Sequence, residues 1–310
     1  MINLILFHSA PINYNFNSDG DNLPSFIKFG LHQIRTFNPD INIYFLTDTK
    51  ILNDNIFKDY NIIPIDKNNY YSDKIKEYEM YYNYGTSSFW TLAATRLIYI
   101  ENFMKENNLE DVYHFENDVL LYFKIEDFHQ KFKELYKNIA ITTGGPDKTM
   151  TGFMYIKNYE SMSNMTQFFI DTLKTYGING TMMKYGMDMV HEMSLMKFYG
   201  IEKGSYFLEN LPILPFGDFS INFDKFNSIF DPATWGQFVG GTRTDGPGAK
   251  PLDHYIGRLL TQNVDWKVEW QIENGLKIPY FNYDGKKMVK INNLHIHSKN
   301  LDLYVSKKLQ

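Results

Sequence analysis

The sequence predicts a single α/β domain in which a mostly parallel central sheet is flanked by helices. Strand-like and helix-like patterns alternate through the first third of the 310 residues, as expected where helices connect parallel strands. The chain contains no repeat, no low-complexity linker and no change of composition that would mark a domain boundary. Its 44% hydrophobic and 22% charged residues are ordinary for a globular domain.

The first half of the chain supplies the strands and helices of the predicted parallel sheet. Apolar runs predict buried strands, and the spacing of Ile27, Leu31 and Ile34 predicts the first helix. A long amphipathic helix follows, with Ser87 or Ser88 as its N-cap. The predicted elements are a strand at 2–10, a helix at 23–37, strands at 42–48 and 60–66, a helix at 87–108 and a strand at 112–122. Ligands of such sheets bind at the carboxyl ends of the strands.

The second half is less regular and contains loops that could close over a ligand. Its Gly-rich stretches at 142–149 and 236–248 match neither a Walker loop nor a dinucleotide-binding motif, so we expect flexible loops. The predicted elements are strands at 138–145 and 151–158, a helix at 187–200 that Gly200 ends, a helix near 251–260, a turn at Asp284-Gly285 and a final strand that includes 293–299.

Charge and composition exclude several classes of protein. The net charge of −5 and the pI of about 5.9 give no electrostatic footprint for nucleic acid. The absence of cysteine excludes disulfides, thiolate metal sites and a cysteine nucleophile. MINLILFHSA lacks the charged start of a signal peptide, and no stretch approaches the roughly 20 apolar residues of a membrane helix. We therefore expect a cytoplasmic protein without a transmembrane segment.

The stretch HFENDVLLYF, residues 114–123, places two carboxylates inside an apolar run. In an extended strand, Glu116 and Asp118 point to the same face, and Asn117 points away. A pair of carboxylates at a strand end favours the binding of a hard divalent cation. The alternative is that the strand ends early and both acids lie in a solvated turn.

Arg96 falls on the apolar face of the long helix, together with Leu92, Ala93 and Ile100. A guanidinium on such a face needs a partner, because an unpaired buried charge is unfavourable. One interpretation is a buried ion pair with a core acid. The other is that Arg96 reaches the edge of the sheet and pairs with a bound phosphate or with the carboxylate cluster.

The stretch NNLHIHSKNL near the end of the sequence places His295, His297 and Lys299 on one face of a strand. Neutral imidazole binds divalent transition metals such as Mn²⁺, and a nearby ammonium can neutralise a phosphate. For an isolated pair of histidines, an edge strand with scattered polar residues would be the alternative. Combined with Glu116 and Asp118, these residues predict a site for a metal-bridged diphosphate.

A third cluster lies in MDMVHEMSLM, where Asp188 and Glu192 are four residues apart and share a face if the segment is helical. Either acid could be a general base or could stabilise a cationic transition state. Alternatively, Asp188 caps the helix after Gly186 and Glu192 is solvated. His191 does not begin a zinc-protease motif, because residue 195 is leucine.

The order of these motifs resembles that of the GT-A glycosyltransferases. The stretches FWTLAATRLIYIENFM, VYHFENDVLLY, IFDPATWGQFVGG and LHIHSKNL are similar to those of bacterial and viral glycosyltransferases, through most of the chain. The resemblance implies one GT-A (Rossmann-like) domain, with a nucleotide-sugar-binding half at about 1–123 and an acceptor half at about 124–310. It implies a metal-dependent hexosyltransferase that moves a sugar from a nucleoside-diphosphate sugar, with a UDP-sugar favoured, to a glycan or other hydroxyl acceptor.

The resemblance also implies roles for individual residues. ENDV stands where the family has its DxD motif, so Asp118 would bind Mn²⁺ or Mg²⁺, and Glu116 would serve the ribose or the metal. HIHSK implies His297 as a metal ligand, with His295 as the alternative, and Lys299 as a diphosphate contact. Further donor or acceptor contacts are implied for Thr47, Asp48, Arg96, Asp231, Gln237 and Gly241. The acid that acts in catalysis or contacts the sugar would be Asp188, with Glu192 as the second candidate.

Two other functions use the same residues. A carbohydrate-binding or scaffold protein could keep a GT-A fold without catalysis. A metal-dependent phosphohydrolase would direct the acids and histidines at water, although such enzymes usually cluster enough ligands for two metals. For a glycosyltransferase, inversion would require Asp188 or Glu192 as a base, whereas retention would require neither.

Overall fold

The structure is a computed structural model that describes residues 2–9, 23–82, 88–145, 149–241, 266–283, 285 and 287–309. The helix expected near 251–260, the greater part of the Gly-rich stretch 236–248 and Asp284 of the expected turn lie outside these ranges. The described strands are β1 (Asn3–Phe7), β2 (Asn42–Thr47), β3 (Ile63–Asp66), β4 (Val112–Phe115), β5 (Val119–Leu121), β6 (Ile139–Thr143), β7 (Thr149–Ile156), β8 (Leu208–Asn210), β9 (Ser228–Ile229), β10 (Lys267–Glu273), β11 (Leu276–Asn282), β12 (Met288–Ile291) and β13 (Asn293–His295).

The described helices connect these strands. They are α1 (Phe26–Phe37), α2 (Asn55–Asp59), α3 (Asp73–Tyr81), α4 (Ser88–Glu106), α5 (Ile125–Leu135), α6 (Tyr159–Tyr185), α7 (Glu192–Lys203), α8 (Phe223–Phe226) and α9 (Trp235–Gly240). α6 bends at Gly177, whose φ of 62° and ψ of 179° interrupt the helical backbone. No helix in the described ranges is both long enough and apolar enough to cross a membrane.

The central sheet has seven strands in the order β3-β2-β1-β4-β7-β6-β8. All its pairings are parallel except those of β7, which runs antiparallel to both β4 and β6. The prediction of an α/β fold with a mostly parallel sheet is therefore confirmed.

Helices cover both faces of this sheet because alternate strand residues point to opposite sides. From β1, Ile5 and Phe7 pack with residues of α3, α4, α6 and α7. Leu4 and Leu6 pack on the other side with residues of α1, α2 and α5. Because β1, β2 and β4 are parallel, their carboxyl ends lie along the same edge of the sheet.

Two smaller sheets are formed by the later part of the chain. One has the order β10-β11-β12-β9, and the other is the antiparallel pair of β13 with β5. In this pair His295 lies opposite Val119, directly after the ENDV acids. The C-terminal histidine motif is thereby carried to the edge of the central sheet.

The predicted strand at 112–122 is two strands, β4 and β5, separated by a turn. The backbone N–H of Val119 donates to the carbonyl of Glu116 at 3.0 Å, and β5 leaves the central sheet to pair with β13. The prediction of one continuous strand was wrong, because apolar residues resume at Val119, directly after the turn, and hide the change of pairing partner.

The predicted helix at 187–200 is also wrong at both ends. Gly186 has the left-handed conformation that ends α6, and α7 begins only at Glu192, after His191. His191 caps α7 by accepting a hydrogen bond from the backbone of Ser194 at 3.2 Å. α7 continues through Gly200 to Lys203. Asp188 lies in the loop between the helices and does not share a helical face with Glu192.

Candidate functional site

The turn between β4 and β5 carries Glu116, Asn117 and Asp118 at the carboxyl edge of the sheet. The Asn117 amide donates to the carbonyl of Phe7 at 2.8 Å, which ties the turn to the end of β1. α1 lies close to the turn at Gly30, where a Cβ would lie 3.2 Å from the Asn117 carbonyl oxygen. Asp118 is only 5% exposed, and Glu116 and Asn117 are partly buried, so the acids do not lie in a fully solvated turn.

Glu116 is surrounded by cationic and polar partners. Its Oε1 accepts hydrogen bonds from Arg96 Nη1 at 2.8 Å and from Thr151 Oγ1 at 2.9 Å. Its Oε2 lies 3.0 Å from Nε2 of His295. Burial alone would raise the pKa of Glu116, but the charges of Arg96 and His295 hold it well below its ordinary range. Glu116 is therefore a carboxylate at neutral pH.

Arg96 thus reaches from α4 into the carboxylate cluster. Two further donors of its guanidinium, Nε and Nη2, are buried and make no hydrogen bond with any residue in the described ranges. Buried donors are normally satisfied. The described residues therefore leave these two donors without an acceptor.

Asp118 is bound by two residues of the C-terminal motif. Its Oδ1 lies 3.1 Å from His295 Nε2, and its Oδ2 pairs with the ammonium of Lys299. Burial would raise the pKa of Asp118, but His295 and Lys299 hold it well below its ordinary value. Burial lowers the pKa of His295, yet Asp118 and Glu116 together raise it to about 10. His295 is therefore a cation in this arrangement.

These five side chains carry a net positive charge. Three cations (Arg96, His295 and Lys299) face two carboxylates (Glu116 and Asp118), so the cluster has a charge of +1. A positive cluster of buried donors at the end of parallel strands favours binding of a phosphate group.

His297 stands beside this cluster as a neutral imidazole. Burial, and then the charge of His295, lower the pKa of His297 to about 3. Its Nδ1 lies 2.7 Å from the side-chain amide of Gln237. Because Nδ1 is occupied, Nε2 is the ring nitrogen that remains for another partner.

A metal ion would fit this donor set. One ligand atom from each of Asp118, His295 and His297 can be chosen so that all three lie within 4.8 Å of one another, and theirs is the one such group in the described part of the chain. A carboxylate oxygen with neutral imidazole suits Mn²⁺ and related divalent ions. Asp118 is a carboxylate and His297 is a neutral imidazole, whereas His295 would first have to lose its proton.

Asp231 and Gly236 hold the histidine strand in place. The carboxylate of Asp231 is fully buried and accepts hydrogen bonds at 2.7 to 2.9 Å from the backbone N–H groups of Thr234, Trp235, Gly236 and His295. Burial raises the pKa of Asp231, although these bonds lower it. All four of these hydrogen bonds come from backbone N–H groups, so Asp231 holds the backbone of the site in place.

We expect Gly236→Ala to disrupt the site and destabilise the protein. A Cβ at Gly236 would lie 2.3 Å from the carbonyl oxygen of His295, and backbone atoms cannot give way as a flexible side chain can. The expected loss of unfolding free energy is about 2 to 4 kcal/mol in urea titrations.

The matched control is Gly180→Ala, where the nearest atom is the Cβ of Tyr176 at 3.2 Å. Alanine favours a helix by about 1 kcal/mol, so Gly180→Ala should change stability little or raise it. Equal stability of the Gly236→Ala variant and the wild type would contradict the close contact.

Thr47 and Asp48 lie at the carboxyl end of β2, beside the end of β1. Asp48 accepts hydrogen bonds from Ser9 Oγ at 3.1 Å and pairs with Lys67 at 3.1 Å. Lys67 also lies 5.2 Å from the centre of the Tyr99 ring. Thr47 Oγ1 is buried and has no hydrogen-bond partner among the described residues. This edge offers a carboxylate, a cation and an aromatic ring.

The two candidate acids after α6 have different surroundings. Asp188 is exposed in its loop, whereas Glu192 is 3% exposed at the start of α7. Burial raises the pKa of Glu192 to about 7, although the charge of Arg96 lowers it. Its Oε2 makes no hydrogen bond within the described ranges. The pKa of Glu192 thus depends on the charges of Arg96 and Glu116.

Two contacts were not identified from the sequence. Thr151 bonds Glu116, and Gly152 faces His295, where a Cβ would lie only 2.8 Å from Nδ1. A glycine inside a buried strand pattern signals a close approach of another group, and Gly152 in β7 is such a signal. Gly241 ends α9 with a φ of 79°. Because glycine has no side chain, it can contribute only backbone atoms to the site.

Comparison with known proteins identifies no family. No family model and no curated protein matches the sequence. Among solved structures, mouse xyloside xylosyltransferase 1 is 11% identical over 68% of this chain and 84% of its own, with a TM-score of 0.48. PaToxG glycosyltransferase is 12% identical over 65% and 68%, with a TM-score of 0.40. A cytidylyltransferase from Leptospira borgpetersenii is 11% identical over 54% and 63%, with a TM-score of 0.34. These partial likenesses do not decide the reaction.

Proposed function

We propose that this protein is a GT-A-type glycosyltransferase, which moves a sugar from a nucleoside-diphosphate sugar to a hydroxyl acceptor. The observation that carries the proposal is the convergence of Asp118, His297, Lys299 and Arg96 at the carboxyl edge of a mostly parallel sheet. Carboxylate and imidazole ligands beside two permanent cations are the groups that a metal-bound diphosphate requires.

The donor would lie along the ends of β1, β2 and β4. Asp48 would contact the nucleoside, together with the buried hydroxyl of Thr47. Arg96 has two unpaired buried donors for the diphosphate, and Lys299 lies on the other side of the carboxylate pair. Asp118 and His297 would hold Mn²⁺ or Mg²⁺, with Glu116 and His295 adjoining them. A UDP-hexose is the favoured donor.

The chain's own residues would assist both halves of the transfer. The acceptor oxygen forms a bond to the anomeric carbon, and the bond from that carbon to the diphosphate oxygen breaks. Arg96 and Lys299 stabilise the negative charge that leaves with the diphosphate. A bound divalent cation would add Lewis-acid stabilisation of the same charge.

Glu192 would take the acceptor proton if the configuration inverts. A carboxyl with a pKa of about 7 is well matched to accept a proton near neutral pH. Asp188, in its exposed loop, would contact the acceptor sugar. Gln237 and the backbone of Gly241 would border the same side of the site.

A donor screen tests the proposal. We expect one of the UDP-, GDP- and dTDP-sugars to raise the melting temperature by several degrees at concentrations about 100 times its Kd, and only with Mn²⁺. Slow release of the nucleoside diphosphate should accompany the shift. Asp118→Asn should remove both effects, because it removes the anionic ligand, while Asp59→Asn, at an exposed position in α2, should keep them.

The opposite result would favour the other candidate functions. A folded wild-type protein that binds neither Mn²⁺ nor any donor would leave a carbohydrate-binding or scaffold protein. Release of phosphate from simple phosphate esters, without sugar transfer, would favour the phosphohydrolase.

A further inference from the structure

We propose that Gln237 is a positioning residue for the metal site, which fixes the ring of His297 so that Nε2 is presented for binding. The inference rests on the metal site of the proposed function and assigns Gln237 a task other than contact with sugar. The amide nitrogen Nε2 of Gln237, in α9, lies 2.7 Å from Nδ1 of His297.

The position of the amide is set by a rigid connection between α9 and β13. Asp231 Oδ2 accepts hydrogen bonds from the backbone of both Gly236 and His295, at 2.9 Å each. Gly236 has no room for a Cβ against His295. Gln237 follows Gly236 and His297 lies two residues after His295, so this connection also fixes the register of the amide with the imidazole.

Gln237 is buried and His297 is partly buried among neighbouring side chains, which restricts the movement of both. Gln237 is 5% exposed, and His297 stacks edge-on against His295 with ring centres 4.2 Å apart. The ring of His295 is itself confined by Gly152. Rotation of His297 away from Gln237 would therefore require movement of its neighbours.

A glutamine suits this task because its two ends have opposite roles in hydrogen bonding. Through its NH₂ it can donate to Nδ1 when the ring proton is on Nε2. Through its oxygen, after a half-turn of the amide, it can accept from Nδ1–H and leave the lone pair of Nε2 for a cation. Hydrogen bonds of this second kind commonly orient metal-binding histidines.

We expect two Gln237 variants of similar size to differ in their affinity for Mn²⁺. Leucine can neither donate nor accept, so Gln237→Leu should weaken Mn²⁺ binding by about 10- to 100-fold. Glutamate keeps the accepting oxygen, so Gln237→Glu should bind Mn²⁺ within about threefold of wild type or more tightly. Electron paramagnetic resonance measures both affinities, because the signal of free Mn²⁺ falls on binding.

The control is Gln33→Leu, at a fully buried glutamine whose amide donates to the Leu121 carbonyl and to Ser306 Oγ and not to a histidine. This variant should lose thermal stability while its folded form keeps the Mn²⁺ affinity of the wild type. Equal Mn²⁺ affinity of Gln237→Leu and wild type would overturn the inference, whatever happens to stability.

A second measurement does not use metal. Nitrogen-15 NMR of the metal-free protein, with His297 assigned by its loss in His297→Ala, should show one ring tautomer in wild type and a mixture in Gln237→Leu. Unchanged ring shifts in Gln237→Leu would overturn the positioning role even if wild type binds Mn²⁺. A wild type that binds no Mn²⁺ but shows the tautomer change would overturn the metal site alone and leave Gln237 as the residue that orients His297.

Discussion

Asp231→Ala is expected to lower the free energy of unfolding by about 3 kcal/mol or more, because buried N–H groups left without a partner each forfeit about 1 to 3 kcal/mol. Four backbone donors lose their acceptor together. Asp231→Asn keeps one accepting oxygen and should lose less. Urea unfolding, monitored by circular dichroism, measures the free energies of unfolding of the wild type and of both variants.

The control for this substitution is Asp54→Ala, which removes one backbone hydrogen bond at the N-cap of α2. It should lower stability by about 1 kcal/mol. If Asp231→Ala were no more harmful than Asp54→Ala, the four hydrogen bonds would not hold the histidine strand. In the folded fraction of Asp231→Ala we also expect weaker Mn²⁺ binding, since His295 loses its backbone anchor.

Glu192→Gln is expected to reduce the rate of sugar transfer by about 10²- to 10⁴-fold, the usual contribution of a general base. In wild type, kcat/KM should rise with pH and level off above about 7, where the carboxyl of Glu192 has lost its proton. Asp188→Asn is the matched control, and it should keep this pH dependence. The reverse pattern would make Asp188 the base, and full activity of both variants would indicate a retaining mechanism.

Although Glu192→Gln should lower activity, we expect it to raise the stability of the protein relative to wild type as the pH increases. The unfolded carboxyl loses its proton near its ordinary pKa of 4.5, and the folded one only near 7. Between these values wild type becomes progressively less stable relative to Glu192→Gln, by a total of about 3 kcal/mol. Urea unfolding at pH 5 and pH 8 should show this widening difference. If the difference in unfolding free energy were the same at both pH values, burial would not raise the pKa of the Glu192 carboxyl.

The central sheet could be predicted because its signals are local. Apolar runs and helical spacing identify β1, β2, α1 and α4 without knowledge of their partners. The break between Phe115 and Val119 could not be predicted in the same way. It depends on β5 pairing with β13, and the apolar pattern of VLL suits either partner.

In the candidate site, too, some features have a local signal in the sequence and others depend on distant residues. The structure joins Glu116 and Asp118 to His295 and Lys299, but not through strand alternation. The two acids lie in the turn after β4, and β13 ends at His295, so the prediction that His295, His297 and Lys299 share one face of a strand was wrong. The contact of Gln237 with His297 spans 60 residues and has no local pattern. Helical periodicity linked Asp188 to Glu192 because the loop after Gly186 contains too few residues to disturb it.

The pairing of β5 with β13 also has a consequence for the order of events during synthesis. Asp118 and Lys299 are 181 residues apart, and every strand of the seven-stranded sheet precedes β13 in the chain. A growing polypeptide can therefore complete its sheet while the carboxylates of the turn still lack the histidines and the lysine. For the proposed enzyme, the site would therefore be completed only after β13 and the residues that follow it have been made.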